Sequence, residues 1–186
     1  MSVPFVHLRV HSEFSLADGI VRLDALVERA RSHDMPAVAV TDLVNVFAVV
    51  KFYQEAEKAG IKPLIGADLW VAAEGDWTRS SRLLLLCQDL AGYRSLSRLL
   101  TRAYTEGQHQ GRPMVALEWL RGETAGLIAL GGADEGDVGL ALIAGQDTRA
   151  EQRVRMYQEL FGLNYYLELQ RTGRPFQEEC NQATLL

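Results

Sequence analysis

The sequence has few of the features that mark secreted, membrane-bound or disulfide-stapled proteins. Its 186 residues include two cysteines, Cys87 and Cys180, without CxxC or framework spacing, so we expect reduced thiols. No apolar run approaches the ~20 residues that cross a bilayer. Residues 1–7 lack the basic cluster and the apolar stretch of a secretory signal. These absences predict a cytoplasmic protein without membrane segments.

Basic residues are also scarce. Lys and Arg total 19 against 24 Asp and Glu, which gives a net charge of −5. A protein that holds nucleic acid mainly through phosphate contacts usually has a basic surface. The charge therefore argues against direct DNA binding as the main task of this chain. Otherwise, 48% hydrophobic and 23% charged residues are typical of a globular domain.

Short apolar runs alternate along the chain with stretches of helical periodicity. Strands are predicted over 5–11, 35–41, 62–71, 82–87, 126–130 and 165–169, and helices over 23–33, 45–59, 93–104, 137–144 and 149–161. This order predicts a parallel α/β architecture, either doubly wound or barrel-like. Residues 175–186 have the pattern of an amphipathic helix without a stop signal, so we expect a fragment of a longer chain.

Polar side chains stand at or just beyond the ends of several predicted strands. They are His11, Asp18, Asp42, Asp68, Arg171 and Thr172. Ligand sites of parallel α/β folds gather at the carboxyl ends of strands. Three carboxylates and a histidine there would suit a hard-metal or phosphate-processing site. The simpler interpretation is that Asp18 and Asp42 cap helices or close turns.

The first predicted strand does not offer a paired-histidine metal clip. His7, Arg9 and His11 share one face, because side chains on a strand repeat every two residues. His7 and His11 are about 13 Å apart on a strand that rises ~3.3 Å per residue. Arg9 between them is a permanent cation and cannot ligate a metal. We interpret His33 and His109 as structural or exposed residues.

One family shares its motifs with this sequence in chain order. Residues 5–19, FVHLRVHSEFSLADG, resemble the opening motif of the PHP (polymerase and histidinol phosphatase) domain family. The form resembled is the one at the N-terminus of proteobacterial DNA polymerase III alpha subunits. The resemblance continues through MPAVAVTD, VKFY, GIKPLIGAD, AGY, GDVG and YLELQRTGRP. It implies a distorted parallel (β/α) barrel, with one incomplete PHP domain over residues 1–186 and polymerase domains beyond residue 186.

The sequence departs from metal-binding members of that family at their metal-site positions. Arg9 replaces the first histidine of a His-x-His motif whose second histidine is His11. Leu43 replaces the histidine that follows Asp42, and Asp68 stands where the family has a glutamate.

The resemblance extends these departures to Arg82 and Thr172, which stand near positions where relatives have histidines. It thus implies eight vestigial metal-site positions, namely Arg9, His11, Asp18, Asp42, Leu43, Asp68, Arg82 and Thr172. We expect no catalytic residue and no resident metal in this domain. Any metal that did bind would use His11, Asp18, Asp42 and Asp68.

Arginine can supply the positive charge that a metal would otherwise bring to clustered carboxylates. A guanidinium group at Arg9, and another at Arg82, offers fixed charge and a fork of donors that matches a carboxylate. We hypothesise that salt bridges have replaced the metals. The loss of the ion removes the Lewis acid and the activated water that hydrolysis needs. The alternative is that both arginines point to solvent.

The resemblance implies a domain that is a scaffold and a docking site for the separate proofreading exonuclease (epsilon) subunit. It implies template-directed DNA synthesis with Mg²⁺ by other domains of the parent chain. The main alternative is an active metal-dependent phosphoesterase or 3′–5′ exonuclease, and a third is a binding module without a polymerase. No glycine-rich phosphate loop supports a sugar-phosphate barrel enzyme. Trp70, Trp77 and Trp119 are interpreted as core or rim packing.

Overall fold

The computed structural model describes residues 5–185. The first four residues of the segment that lacks a secretory signal, and the last residue of the predicted terminal helix, lie outside the described residues. The helices in this range are α1 (Leu23–Ser32), α2 (Val49–Lys58), α3 (Leu90–Thr105), α4 (Asp137–Ile143), α5 (Asp147–Phe161) and α6 (Gln177–Leu185). The strands are β1 (Ala37–Val40), β2 (Lys62–Ala73), β3 (Asp76–Cys87), β4 (Gln108–His109), β5 (Arg112–Pro113), β6 (Val115–Ala116), β7 (Leu127–Leu130) and β8 (Tyr165–Tyr166).

The chain divides into two compact units, one up to Asp68 and one from Leu69 onward. Strand β2 contributes residues to both units. Each unit is described by itself below. The expectation of one PHP domain over residues 1–186 stays a prediction.

The first unit is built on a parallel pair of strands covered by two helices. Strand β1 runs parallel to the first residues of β2, with Ala37 opposite Lys62. All four β1 residues are buried, as expected for a parallel strand with both faces covered. Helices α1 and α2 direct apolar side chains into a core around Phe52, which is fully buried. A core of this kind fixes the end of β1 and the part of β2 up to Asp68, where the polar cluster lies.

The second unit is built on mixed pairing. Strand β3 pairs antiparallel with β7, whereas β7 pairs parallel with the short strand β8. Strand β6 runs parallel to the end of β2. The apolar run 83–86 of β3 is buried, and α3 begins at an N-cap where Asp89 Oδ1 accepts a hydrogen bond from Gly92 N–H.

The predicted fold class is confirmed as α/β, and the predicted elements except the first strand are present with some shifted ends. Residues 5–11 form no assigned strand, although the N–H groups of Ala39 and Thr41 in and beside β1 donate to the carbonyls of His7 and Val10. Helix α2 begins at Val49 rather than residue 45. Strand β8 stops after two residues, because its pairing partner β7 ends at Leu130.

No helix among residues 5–185 combines the length and the apolar character that a membrane span requires. Cys87 and Cys180 are both free, as the sequence predicts. Cys87 ends β3 and is half-buried, and burial raises the pKa of its thiol to about 11. The thiolate is therefore a minor species at neutral pH.

We expect slow alkylation of Cys87 in the folded protein. With a pKa near 11 rather than the usual 9, the thiolate fraction at pH 8 falls about 100-fold, since each pKa unit is a factor of ten. Iodoacetamide labelling of a Cys180→Ser variant should thus be far slower than labelling of the urea-unfolded chain, and should rise steadily between pH 7.5 and pH 9. A plateau below pH 9 would contradict the raised pKa.

Candidate functional site

An ion pair between Arg9 and Asp68 is the centre of a polar cluster in the first unit. Arg9 donates from Nη2 and Nε to Asp68 Oδ2, at 2.7 and 3.0 Å. Asp68 is fully buried at the end of the segment of β2 that belongs to this unit, and 14% of the Arg9 side chain is exposed. The predicted arginine–carboxylate pair is therefore present, and Arg9 does not point to solvent.

His11 lies between two carboxylates of the same cluster. Its Nε2 is 3.0 Å from Asp68 Oδ2, and its Nδ1 is 2.8 Å from Asp18 Oδ2. Asp18 is at the outer side of the cluster, with 44% of its side chain exposed. Arg9 and His11 thus meet at one oxygen of Asp68, and this contact brings together three of the residues that the sequence placed in a site.

Asp42 has a different environment, although it is also buried. Its Oδ1 accepts hydrogen bonds from Ser12 N–H at 2.6 Å and from Ser15 Oγ–H at 2.7 Å, and its Oδ2 accepts one from Ser12 Oγ–H at 2.8 Å. The carboxylate fastens the short 3₁₀ turn Glu13–Asp18 to the end of β1. The interpretation of Asp42 as a residue that closes a turn agrees with these contacts.

Ser12 and Ser15 are the site residues that sequence reasoning missed. Their signal is two hydroxyls at positions i and i+3 directly after the first extended segment, ahead of a buried Asp. Ser15 also accepts a hydrogen bond from the Leu43 N–H at 3.0 Å, so one serine links Asp42 and the next residue. Gly19 completes the turn, because a Cβ there would collide with the carbonyl of Ser12.

Leu43 contributes backbone rather than a ligand. It lies opposite Asp68 in an isolated parallel bridge. The N–H of Asp68 donates to the carbonyl of Asp42 at 3.1 Å, and the N–H of Val44 donates to the carbonyl of Asp68 at 2.8 Å. The two aspartates are therefore backbone neighbours, while the contacts described for their side chains are with different residues.

The other two predicted positions, Arg82 and Thr172, lie in the second unit. Arg82 is buried on β3, with its guanidinium carbon 4.3 Å from the centre of the Trp70 ring and its Nε 4.0 Å from Glu135 Oε2. It does not point to solvent. Thr172 donates from N–H and Oγ–H to Gln177 Oε1, at 2.8 and 3.1 Å, in the turn before α6.

The donors in this cluster do not fit a metal ion. Arg9 and His11 both contact Asp68 Oδ2, and a guanidinium group has no lone pair to offer. The Asp42 oxygens accept three hydrogen bonds from serines. Within residues 5–185, no group of three or more His, Cys, Asp or Glu side chains has an arrangement that could hold a metal.

The fold and a family match over most of the chain define the class of the protein. Its fold is shared by a solved amidohydrolase structure from Chromobacterium violaceum, with a TM-score of 0.51 and 14% identity over 96% of each chain. The PHP domain model matches residues 7–172. The chain belongs to the PHP domain family, and the predicted fold class is confirmed.

Relatives with higher sequence identity are alpha subunits of DNA polymerase III. The chain is 46% identical to DNA polymerase III subunit alpha of Pseudomonas aeruginosa over 185 residues, which is 100% of this chain and 16% of the relative. It is 41% identical to DNA polymerase III subunit alpha of Escherichia coli over 186 residues, again 100% of this chain and 16% of the relative. The predicted resemblance is confirmed, and the chain spans about one sixth of these relatives.

Proposed function

We propose that this chain is the PHP domain of a DNA polymerase III alpha subunit that has lost metal-dependent catalysis and acts as a scaffold and docking site. In the parent chain, other domains would carry out template-directed DNA synthesis with Mg²⁺ in the cytoplasm. The similarity to polymerase alpha subunits over the whole chain supports the family part of the proposal. The net charge of −5 supports a structural role rather than direct DNA binding as the main function.

The bond from Arg9 to Asp68 is the observation that carries the loss of catalysis. A buried carboxylate needs a compensating charge, and here a guanidinium group supplies it at 2.7 Å. Hydrolysis of a phosphoester at a metal site needs a Lewis acid and a bound water of low pKa. Arginine supplies neither. The negative charge of Asp68 is therefore balanced without a metal ion and its activated water.

A phosphoesterase assay tests this loss directly. The intact protein, supplied with Mn²⁺ or Zn²⁺, should hydrolyse bis(p-nitrophenyl) phosphate and a 3′-labelled oligonucleotide no faster than a His11→Ala variant. The two rates agree if His11 is only a hydrogen-bonding partner of Asp18 and Asp68. Metal-dependent turnover that disappears in His11→Ala would establish the rival function, an active phosphoesterase or 3′–5′ exonuclease site.

Exposed apolar side chains in the first unit support a docking role for the epsilon subunit. Leu16 is 78% exposed and Ile20 is 93% exposed, and Phe47 and Val50 are also exposed. The segments that carry them are joined, since Asn45 donates from Nδ2 to the Phe14 carbonyl. Leu16 also has a φ of 56°, a conformation that leucine rarely adopts. We infer that these exposed side chains on linked segments form the binding surface, since exposed apolar patches are typical of binding sites.

We expect Leu16→Asp and Ile20→Asp to weaken binding of the epsilon subunit to the intact protein by at least about tenfold, since charge in the centre of an interface is strongly disfavoured. Surface plasmon resonance measures the change. Leu163→Asp is a matched control, because Leu163 is 93% exposed but belongs to the second unit. Equal affinity of all three variants and the parent protein would refute this docking surface.

A further inference from the structure

A cavity of about 520 Å³ in the second unit has no place in the function proposed above. Its walls come from the end of β2, the first half of β3, β5, α4 and α5. A volume of this size falls in the range of small-molecule sites. The cavity therefore has room for one ligand of the size of a nucleotide.

Three arginines and one carboxylate line this cavity. They are Arg79, Arg112, Arg149 and Asp137. Asp137 is bonded to Arg153 Nε at 3.0 Å and is 3.9 Å from Arg149, so its charge is offset by one arginine outside the cavity lining and one within it. After the hydrogen bonds from Thr78, the charge of Arg79 helps to lower the pKa of Asp76, and the Arg112 guanidinium group contacts the Trp70 ring. The cavity therefore concentrates positive charge in a chain whose net charge is −5.

Trp70 holds one of these arginines in position. The Arg112 guanidinium carbon lies 4.5 Å from the centre of the Trp70 ring, within the range of a cation–π contact. The position of Arg112 is thus set by an aromatic neighbour rather than by an anion, which leaves its donors available to a ligand. This also explains Trp70, for which the sequence predicted only packing.

The remaining walls suit the body of an organic phosphate. Val71 and Leu117 are buried on β2 and after β6, and Ala141 is buried on α4. Ser80 adds a hydroxyl group to the lining, whereas the Thr78 hydroxyl already donates to Asp76 Oδ1 at 2.6 Å. Planar guanidinium forks match phosphate oxygens, and apolar walls suit a sugar and base. An extended acidic peptide would instead need an open groove or a sheet edge.

We infer that this cavity, formed by Trp70, Arg79, Arg112 and Arg149, binds the phosphate of a free nucleotide. The inference does not depend on the proposed scaffold function, since the cavity lies in the second unit and the Arg9–Asp68 pair in the first. No chemical step is assigned to the site. It is a binding site, and its occupation is measurable with the nucleotide alone.

Calorimetry with the intact protein tests the inference. Deoxyadenosine monophosphate should bind at least about tenfold more tightly than inorganic phosphate or deoxyadenosine, because phosphate and apolar body are both recognised. Its affinity should fall at least about tenfold in an Arg79→Ala/Arg112→Ala variant, which removes two phosphate-facing forks. The single variant Arg79→Ala, at an exposed position, should show a smaller loss with unchanged melting temperature.

Arg121→Ala/Arg155→Ala is the matched control. It removes the same charge from two exposed positions outside the cavity, so an effect of net charge alone would appear equally in both pairs. Equal affinity in the two double variants, or no binding of the mononucleotide at millimolar concentration, overturns the inference. If a single-stranded oligonucleotide bound more tightly than the mononucleotide, and this binding depended on Arg79 and Arg112, the ligand of the cavity would be single-stranded nucleic acid. That result would overturn the inference that the cavity binds a free nucleotide.

Discussion

Replacement of Arg9 with methionine is expected to destabilise the folded protein by about 3 kcal/mol, because it leaves a buried carboxylate without its guanidinium partner. Asp68 is fully buried, so water cannot replace the lost donors at 2.7 and 3.0 Å. Urea unfolding followed by circular dichroism gives the free energy of unfolding for each variant. Methionine keeps most of the arginine stem, so lost packing is a small part of the change.

Three further variants, Arg22→Met, Asp68→Asn and Arg9→Met/Asp68→Asn, show whether the loss of stability belongs to the pair. Arg22→Met is the control, because the Arg22 side chain is 66% exposed and its contact with Asp24 is 3.6 Å long. It should cost less than about 0.5 kcal/mol. An Arg9→Met/Asp68→Asn double variant should cost less than the sum of its single variants by more than about 1 kcal/mol. An Arg9→Met cost as small as that of Arg22→Met would show that the pair does not stabilise the fold.

Asp42→Ala should be at least as damaging, with an expected loss of about 4 kcal/mol. The substitution leaves one buried N–H group and two serine hydroxyls without the acceptor that they share, and each such donor costs about 1–3 kcal/mol. The exposed Asp147, in the first turn of α5, provides a control. Asp147→Ala should cost less than about 1 kcal/mol.

This substitution separates a structural carboxylate from a vestigial one. If Asp42 were only a leftover ligand, its removal would relieve repulsion among carboxylates and leave stability unchanged or improved. Urea unfolding of Asp42→Ala with a midpoint equal to that of the parent protein would therefore contradict the role assigned to Ser12 and Ser15.

Apolar periodicity predicted most elements, and local hydrogen bonds explain where it did not. Strand β3 was expected only over its buried run 82–87, because its first half, from Asp76, is polar and partly exposed. Helix α2 starts late because Asn45 Oδ1 accepts from the Phe47 N–H and Val44 has a φ of 49°, both of which hold a turn ahead of the helix. These side-chain contacts have no signature in hydrophobic periodicity.

Only part of the candidate site could be predicted, because side-chain hydrogen bonds leave no signature in hydrophobic periodicity. Strand ends suggested His11, Asp18 and Asp68 as neighbours, and the structure brings these three side chains into contact, with Arg9 as the charge partner of Asp68. The partners of Asp42 could not be predicted in this way, since Ser12 precedes and Ser15 lies within a short 3₁₀ turn, which has no strand or helix periodicity. The arginine-lined cavity depends on residues from β2 to α5 whose convergence only the structure reveals.

Anomalous diffraction from crystals soaked in Mn²⁺ or Zn²⁺ tests most directly whether a guanidinium group has taken the place of a metal. We predict no anomalous peak at coordination distance, about 2.0–2.6 Å, from His11 or Asp68, with Arg9 still bonded to Asp68. A metal held by His11 and the carboxylates of Asp18 and Asp68, with Arg9 displaced from Asp68, would contradict the account.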